Sequence, residues 1–236
     1  IIQREIEKLE LSEDIKSFFD LALSTIIVPS SNVRYGPGFG VGKIKVDVDV
    51  YNLFSEKVKR MLRDLASLTP TQKKVKSQVK LGDSRKLSSY YGKNTVDFMI
   101  TSPPYPGDHE YTKHTRLELI FSGIAENQEE FREIKKRMIR GSTTNIYKDD
   151  NERDLVSKFT SIQKVTSLIE ERLIKDNATS GYEKLYTKLV WEYFGGMYNN
   201  FLEAKKVLRE GGKYFLLVSD SHAFKMVHIQ TAEILA

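Results

Sequence analysis

"VKLGDSRKLSSYYGKNTVDFMITSPPY", residues 79–105, decides how this chain is read. Its opening, with the preceding Ser77 and Gln78, predicts a strand that ends in Gly82-Asp83. "SRKLSSYYG" then reads as a short helix with a glycine stop, and "TVDFMIT" as a second strand. That strand runs straight into Ser102-Pro103-Pro104-Tyr105, and Pro106 follows, so three of the chain's six prolines fall within four positions. Proline fixes φ and removes a backbone donor, so neither a helix nor an inner strand continues through it. The residue before a proline is pushed into the extended region, which holds Ser102 outward at the strand end.

Further along, "GYEKLYTKLVWEYFGGMYNNFLEAKKVLREGG" carries apolar or aromatic residues at the 3.6-residue period from Tyr182 to Leu202. That predicts one long helix, ended by Gly211-Gly212. "KYFLLVSD" then reads as a third strand, apolar enough to be buried on both faces. Strand, helix, strand, long helix, strand predicts a parallel α/β sheet, whose ligand sites lie at the carboxyl ends of the strands. Three such ends carry polar residues: Gly82-Asp83, Thr101-Ser102 and Ser219-Asp220.

Upstream, residues 1–28 read as helix, with Ser12 as an N-cap and Ile15, Phe18, Phe19 and Leu23 on one face. A loop holding Gly36, Gly38, Gly40 and Gly42 follows, then a helix from Tyr51 to Leu68 that Pro70 ends. The chain divides into a helical N-terminal segment with a glycine-rich loop, 1–70, and a second domain, 71–236, in which 106–180 forms a helical insertion after the second strand. The start without methionine and the helical "TAEILA" at the end read as a fragment of a longer chain.

Composition removes several classes. With no cysteine there is no disulfide, thiolate chemistry or cysteine zinc site, and the four histidines lack ligand spacing, so no metal is expected. No apolar run reaches the ~18 residues of a membrane span and no signal-peptide pattern opens the chain; an intracellular, cytoplasmic protein is expected. A net charge of +5 is compatible with a polyanionic partner.

Ser102-Pro103-Pro104-Tyr105 at the end of an inner strand, with a Gly-Asp strand end about twenty residues earlier, resembles the DNA amino-methyltransferases. Their signature at this place is (D/N/S)-P-P-(Y/F/W). "VDFMITSPPY" and the later "LREGGKYFLLVSD" are similar to their layout, and the likeness covers about residues 75–220. The resemblance implies a Rossmann-like sheet with helices on both faces, S-adenosylmethionine as cofactor, duplex DNA with a flipped base as substrate, and a cognate restriction or defence subunit as partner. The serine form of the motif leans toward cytosine-N4 over adenine-N6.

The chemistry suits these residue types. A ring amine is a poor nucleophile because its lone pair is delocalised; acceptors placed against the NH₂ draw the nitrogen toward sp³ and aim the lone pair at the methyl. Ser102 Oγ and the Pro103 carbonyl are the implied acceptors, held by the Pro103-Pro104 corner, and orientation of this kind supplies several kcal/mol. Tyr105 is the implied stacking platform for the extruded base, or else a packing aromatic in a tight turn. Asp83, with Gly82 and Thr101 beside it, is the candidate cofactor contact; the competing reading makes Asp83 the N-cap of the helix from Ser84.

The family's D-x-F-x-G-x-G cofactor turn is missing in its usual form. Phe39-Gly40-Val41-Gly42 echoes half of it, without a preceding strand, and reads rather as a mobile loop. Either the turn lies outside this chain, or the protein is a degenerate relative that no longer binds cofactor. In the insertion, Lys113, His114 and Arg116, and the cluster Lys135, Lys136, Arg137 and Arg140, are candidate phosphate contacts. "ENQEEFREIKKR" equally describes a salt-bridged, solvated helix. Two rivals stay open: an RNA guanosine-N2 methyltransferase, and a catalytically silent DNA-binding subunit.

Overall fold

The computed structural model describes residues 1–35, 39–107 and 110–236, with Phe39 by its backbone only. Gly36 and Gly38 of the expected loop, and His109, lie outside the described residues. The first elements are α1 (Ile2–Glu7), α2 (Glu13–Ser30), the antiparallel hairpin of β1 (Val33–Tyr35) and β2 (Phe39–Val41), α3 (Val50–Ala66) and α4 (Pro70–Lys73). β3 (Val96–Thr101) is followed by α5 (Tyr111–His114), α6 (Arg116–Phe121), α7 (Gln128–Lys136), α8 (Arg153–Val156), α9 (Thr160–Lys175) and α10 (Tyr186–Val207). Last come β4 (Leu208–Leu216), β5 (Ser221–Phe224), β6 (Val227–Ile229) and α11 (Thr231–Leu235). Among the described residues no helix is long and apolar enough to cross a membrane.

These elements form two compact units, 1–79 with 111–131 and 80–110 with 132–236. The first includes a piece of the expected insertion. Tyr35 Oη donates to Glu118 Oε2 at 3.1 Å and accepts from the Leu117 amide, and the His114 ring stands 6.0 Å from the Tyr35 ring. α2 buries Ala22, Leu23, Ile26 and Ile27, and its Phe19 lies 6.2 Å from Phe54 of α3. Ile15, expected on that inner face, is exposed. The Gly40 segment is a strand of the hairpin rather than a loop. Pro70 opens a helix instead of closing one, because Thr69 and Gln72 form a reciprocal capping box around it.

The second unit is organised around α10, as the long period predicts. Leu189, Val190, Tyr193 and Met197 are fully buried, with Ile162 and Ile169 of α9 and Phe224 and Ile229 of the β5–β6 hairpin in the same core. Fully burying one such side chain contributes about 1.5–3 kcal/mol. The helix ends at Val207, and Gly211 and Gly212 belong to β4 rather than to a cap.

β3 and β4 pair in parallel, with Met99 opposite Tyr214, Ile100 opposite Phe215 and Thr101 opposite Leu216. The fold is mixed α/β with this parallel pair, and a full Rossmann-like sheet is not shown among the described residues. "SQVKLGD" carries no strand, because a strand needs a neighbour and the only described ladder of β3 runs to β4. Among the described residues, helices on both faces of the pair are likewise not seen. One face rests on α10, where Tyr214 Oη donates to Asn200 Oδ1 at 2.7 Å and the Phe201 and Tyr214 rings meet edge to face. The opposite face leaves Ile100 81% and Leu217 72% exposed, beside Phe98 and Phe215.

Candidate functional site

The carboxyl end of β3 carries Ser102 onto the exposed rim of the parallel pair. The ladder continues one bond past the strand, from the Leu217 amide to the Thr101 carbonyl at 3.0 Å. Ser102 Oγ donates to the Leu217 carbonyl at 3.2 Å and lies 3.3 Å from Tyr105 Oη. With its proton committed to a carbonyl, the serine oxygen presents lone pairs, so it meets Tyr105 and any incoming amine as an acceptor. Ser102 is exposed, Pro104 and Tyr105 are half-buried, and Pro103 and Pro106 are buried. The diproline is thus the anchored side of the corner and the two hydroxyls are its open side.

Two glycines clamp the corner from behind. The Gly107 amide donates to the Gly141 carbonyl at 3.0 Å. Gly107 has φ +85°, and a Cβ there would stand 2.6 Å from Cβ of Ala223. Gly141 itself packs against Pro104 and the Tyr105 carbonyl. Neither glycine was legible as a site residue.

Asp83 is buried, and Arg85 occupies it. Its Oδ1 accepts from the Arg85 amide at 2.9 Å and from Nε at 3.0 Å, and its Oδ2 accepts from Nη2 at 2.8 Å. Arg85 also donates to Glu152 Oε1 and to the Lys136 carbonyl. Burial pulls the Asp83 carboxyl upward, but the Arg85 hydrogen bonds and charge outweigh it and hold the group below its ordinary value. The N-cap reading of Asp83 is therefore the one the geometry supports, since its carboxylate receives the second amide of the 3₁₀ turn Ser84–Ser89. Gly82 is explained by Tyr90, whose ring would lie 2.5 Å from a Cβ at that position and whose Oη accepts from the Asp83 amide. Thr101 spends its carbonyl on Leu217 and points to the α10 side. The 3₁₀ turn is tied down by Asn200, which donates to the Ser84 carbonyl, and by Glu203, which accepts from Ser88 N and Oγ.

Asp83, Gly82 and Thr101 therefore do not fit S-adenosylmethionine in this arrangement. The carboxylate is engaged, the glycine is covered by a ring, and the threonine lies on the α10 face of the pair with its carbonyl engaged.

The basic residues of the insertion fall into different settings. Lys113 and Arg116 are exposed in the first unit, Arg116 with its guanidinium 4.8 Å over the Phe131 ring, and His114 is half-buried there. In the second unit, Lys135 pairs with buried Glu110 at 3.1 Å, Lys136 pairs with Glu133, and Arg137 is exposed. Arg140 is corrected outright: it is 5% exposed, its Nε and Nη2 go to Asp150, and its Nη1 goes to three backbone carbonyls. A guanidinium with its donors spent inside the fold is a structural group, not a phosphate contact. Compared with family models, with curated proteins and with solved structures, the chain finds no match.

Proposed function

We propose that this chain carries the target-amine corner of an S-adenosylmethionine-dependent DNA methyltransferase, with cytosine-N4 favoured over adenine-N6. The observation that carries the reading is Ser102 Oγ, exposed at the carboxyl end of a parallel strand with its proton turned to the Leu217 carbonyl. An oxygen so oriented accepts from an exocyclic NH₂ and favours the pyramidal form of that nitrogen, with its lone pair free of the ring. Tyr105, 3.3 Å away, offers its ring to the extruded base, where stacking is worth about 1–3 kcal/mol. Because Asp83, Gly82 and Thr101 give no seat for the methyl donor, no step is assigned through it.

The test is transfer of labelled methyl to duplex DNA and to tRNA. Activity on DNA that Ser102→Ala abolishes without changing the melting temperature is the expected result. Transfer to tRNA alone moves the substrate to the guanosine 2-amino group.

The engagement of Asp83 by Arg85 favours one second reading, a DNA-binding subunit that has lost cofactor. Calorimetric titration with S-adenosylmethionine separates the two, since the silent subunit takes up none.

A further inference from the structure

The chain's positive charge is concentrated in one exposed segment. Residues 57–76 hold seven cations, Lys57, Lys59, Arg60, Arg63, Lys73, Lys74 and Lys76, against the single acid Asp64. That is a net +6 in a chain whose total is +5, so the remaining 216 residues together carry −1. The excess therefore does not lie in the insertion, where acids balance the basic residues.

α3 sets the geometry. Helical spacing places Lys59, Arg60 and Arg63 on the side away from Phe54, Val58 and Met61, and Phe54 is the residue that meets α2. All three cations are exposed, and Lys57 is half-buried at the edge of the same face. No residue of α3 or α4 is buried, so core packing does not explain this composition. Among the described residues the one acid paired with the face is Glu56, which holds Lys59 at 2.8 Å with both side chains more than half exposed. Past the helix, Lys73, Lys74 and Lys76 are interleaved with Ser67, Thr71, Ser77 and Gln78, all exposed.

We infer that residues 57–76 form a docking surface for the phosphate backbone of duplex nucleic acid. Phosphate contacts are made by Lys, Arg and hydroxyl or amide donors without reading sequence, and this is the mixture present. An anionic bilayer would need a free apolar face beside the charges. Phe54 is engaged with Phe19, and the exposed apolar residues that remain, Tyr51, Leu62, Leu65, Leu68 and Val75, are spread from the first turn of α3 to beyond α4. The inference rests on the nucleic-acid part of the proposed function and is independent of methyl transfer.

The experiment measures binding of the whole chain to a fluorescent duplex of arbitrary sequence, by anisotropy, across a salt series. Each phosphate contact contributes about 0.9 to the slope of log K against log salt. K59Q/R60Q/R63Q and K73Q/K74Q/K76Q are each expected to weaken binding about tenfold or more at 0.1 M salt and to lower the slope by up to about 2.7. The loss should be equal for unrelated sequences. Replacing the lysines by arginine should preserve both quantities, which excludes a folding defect. An unchanged slope in both triple variants overturns the surface, and so does binding to phosphatidylserine vesicles without binding to the duplex. If the parent transfers no methyl while the triple variants still lose binding, the methyltransferase reading falls and the surface stands.

Discussion

Gly141 lies directly against Pro104: a Cβ built on the glycine would be 3.2 Å from Cβ of Pro104 and 3.2 Å from the Tyr105 carbonyl. Those contacts are tight but not impossible, so Gly141→Ala should shift the corner by a few tenths of an ångström rather than unfold the chain. A displaced corner moves Ser102 Oγ and Tyr105 relative to the amine, and misplacement of reacting groups by about 1 Å costs about a hundredfold. The expected result is a drop in methyl transfer of about tenfold with the melting temperature nearly unchanged. Parent-like turnover would show that Gly141 does not position the corner.

Gly107 differs in kind. Its φ of +85° strains any side chain, and the Cβ would stand 2.6 Å from Ala223, whose strand is fixed in the core through Phe224. Gly107→Ala should destabilise the second unit by about 1–3 kcal/mol, read as a lower urea midpoint with little change in m. A midpoint equal to that of the parent refutes the strained-turn account.

Tyr105 has two separable attributes, a ring and a hydroxyl. Tyr105→Phe keeps the ring and removes the partner 3.3 Å from Ser102 Oγ, whereas Tyr105→Ala removes both. If the ring stacks on a base, Ala should weaken binding to a duplex with a mismatched target by about 1–3 kcal/mol, and Phe should bind like the parent. Equal losses in the two variants would assign the effect to the hydroxyl instead.

What the sequence disclosed follows from how local each signal is. The amphipathic period of α10 and the apolar run of β3 depend on residues a few positions apart, and both elements form, although α10 ends at Val207, short of the glycine pair expected to stop it. The proline corner was legible for the same reason, since φ restriction acts on adjacent residues. The Gly82-Asp83 strand was not, because a strand is completed by a distant neighbour and "SQVKLGD" has none among the described residues. Nothing local in the sequence marks Arg85, two residues past Asp83. Only its distant partners, Glu152 and the Lys136 carbonyl, make it the centre of a buried network. Arg140 was misread for the same cause, its partner Asp150 being ten residues on across a turn.

That network gives the sharpest stability test. Arg85 is the cation between two carboxylates, bonded to Asp83 at 2.8 Å and to Glu152 at 2.9 Å, with all three side chains largely buried. Removing one partner of such a pair is costly because the other charges stay buried, so Arg85→Met should destabilise by about 3–5 kcal/mol at pH 7. The pH dependence has a definite sign. In the parent, Asp83 sits below its ordinary value of 3.8, so its contribution is present above that pH and is lost as pH falls through the lowered value. In Arg85→Met the Asp83 carboxyl keeps its burial but loses the side-chain hydrogen bonds and the charge that hold it down, so it titrates higher than in the parent. Protonation then relieves the variant, which gains stability relative to the parent as the solution is acidified. The gap between the two urea midpoints should be widest near pH 7 and should narrow toward pH 4. A gap that stays constant over that range would show that Arg85 acts through packing and not through its charge.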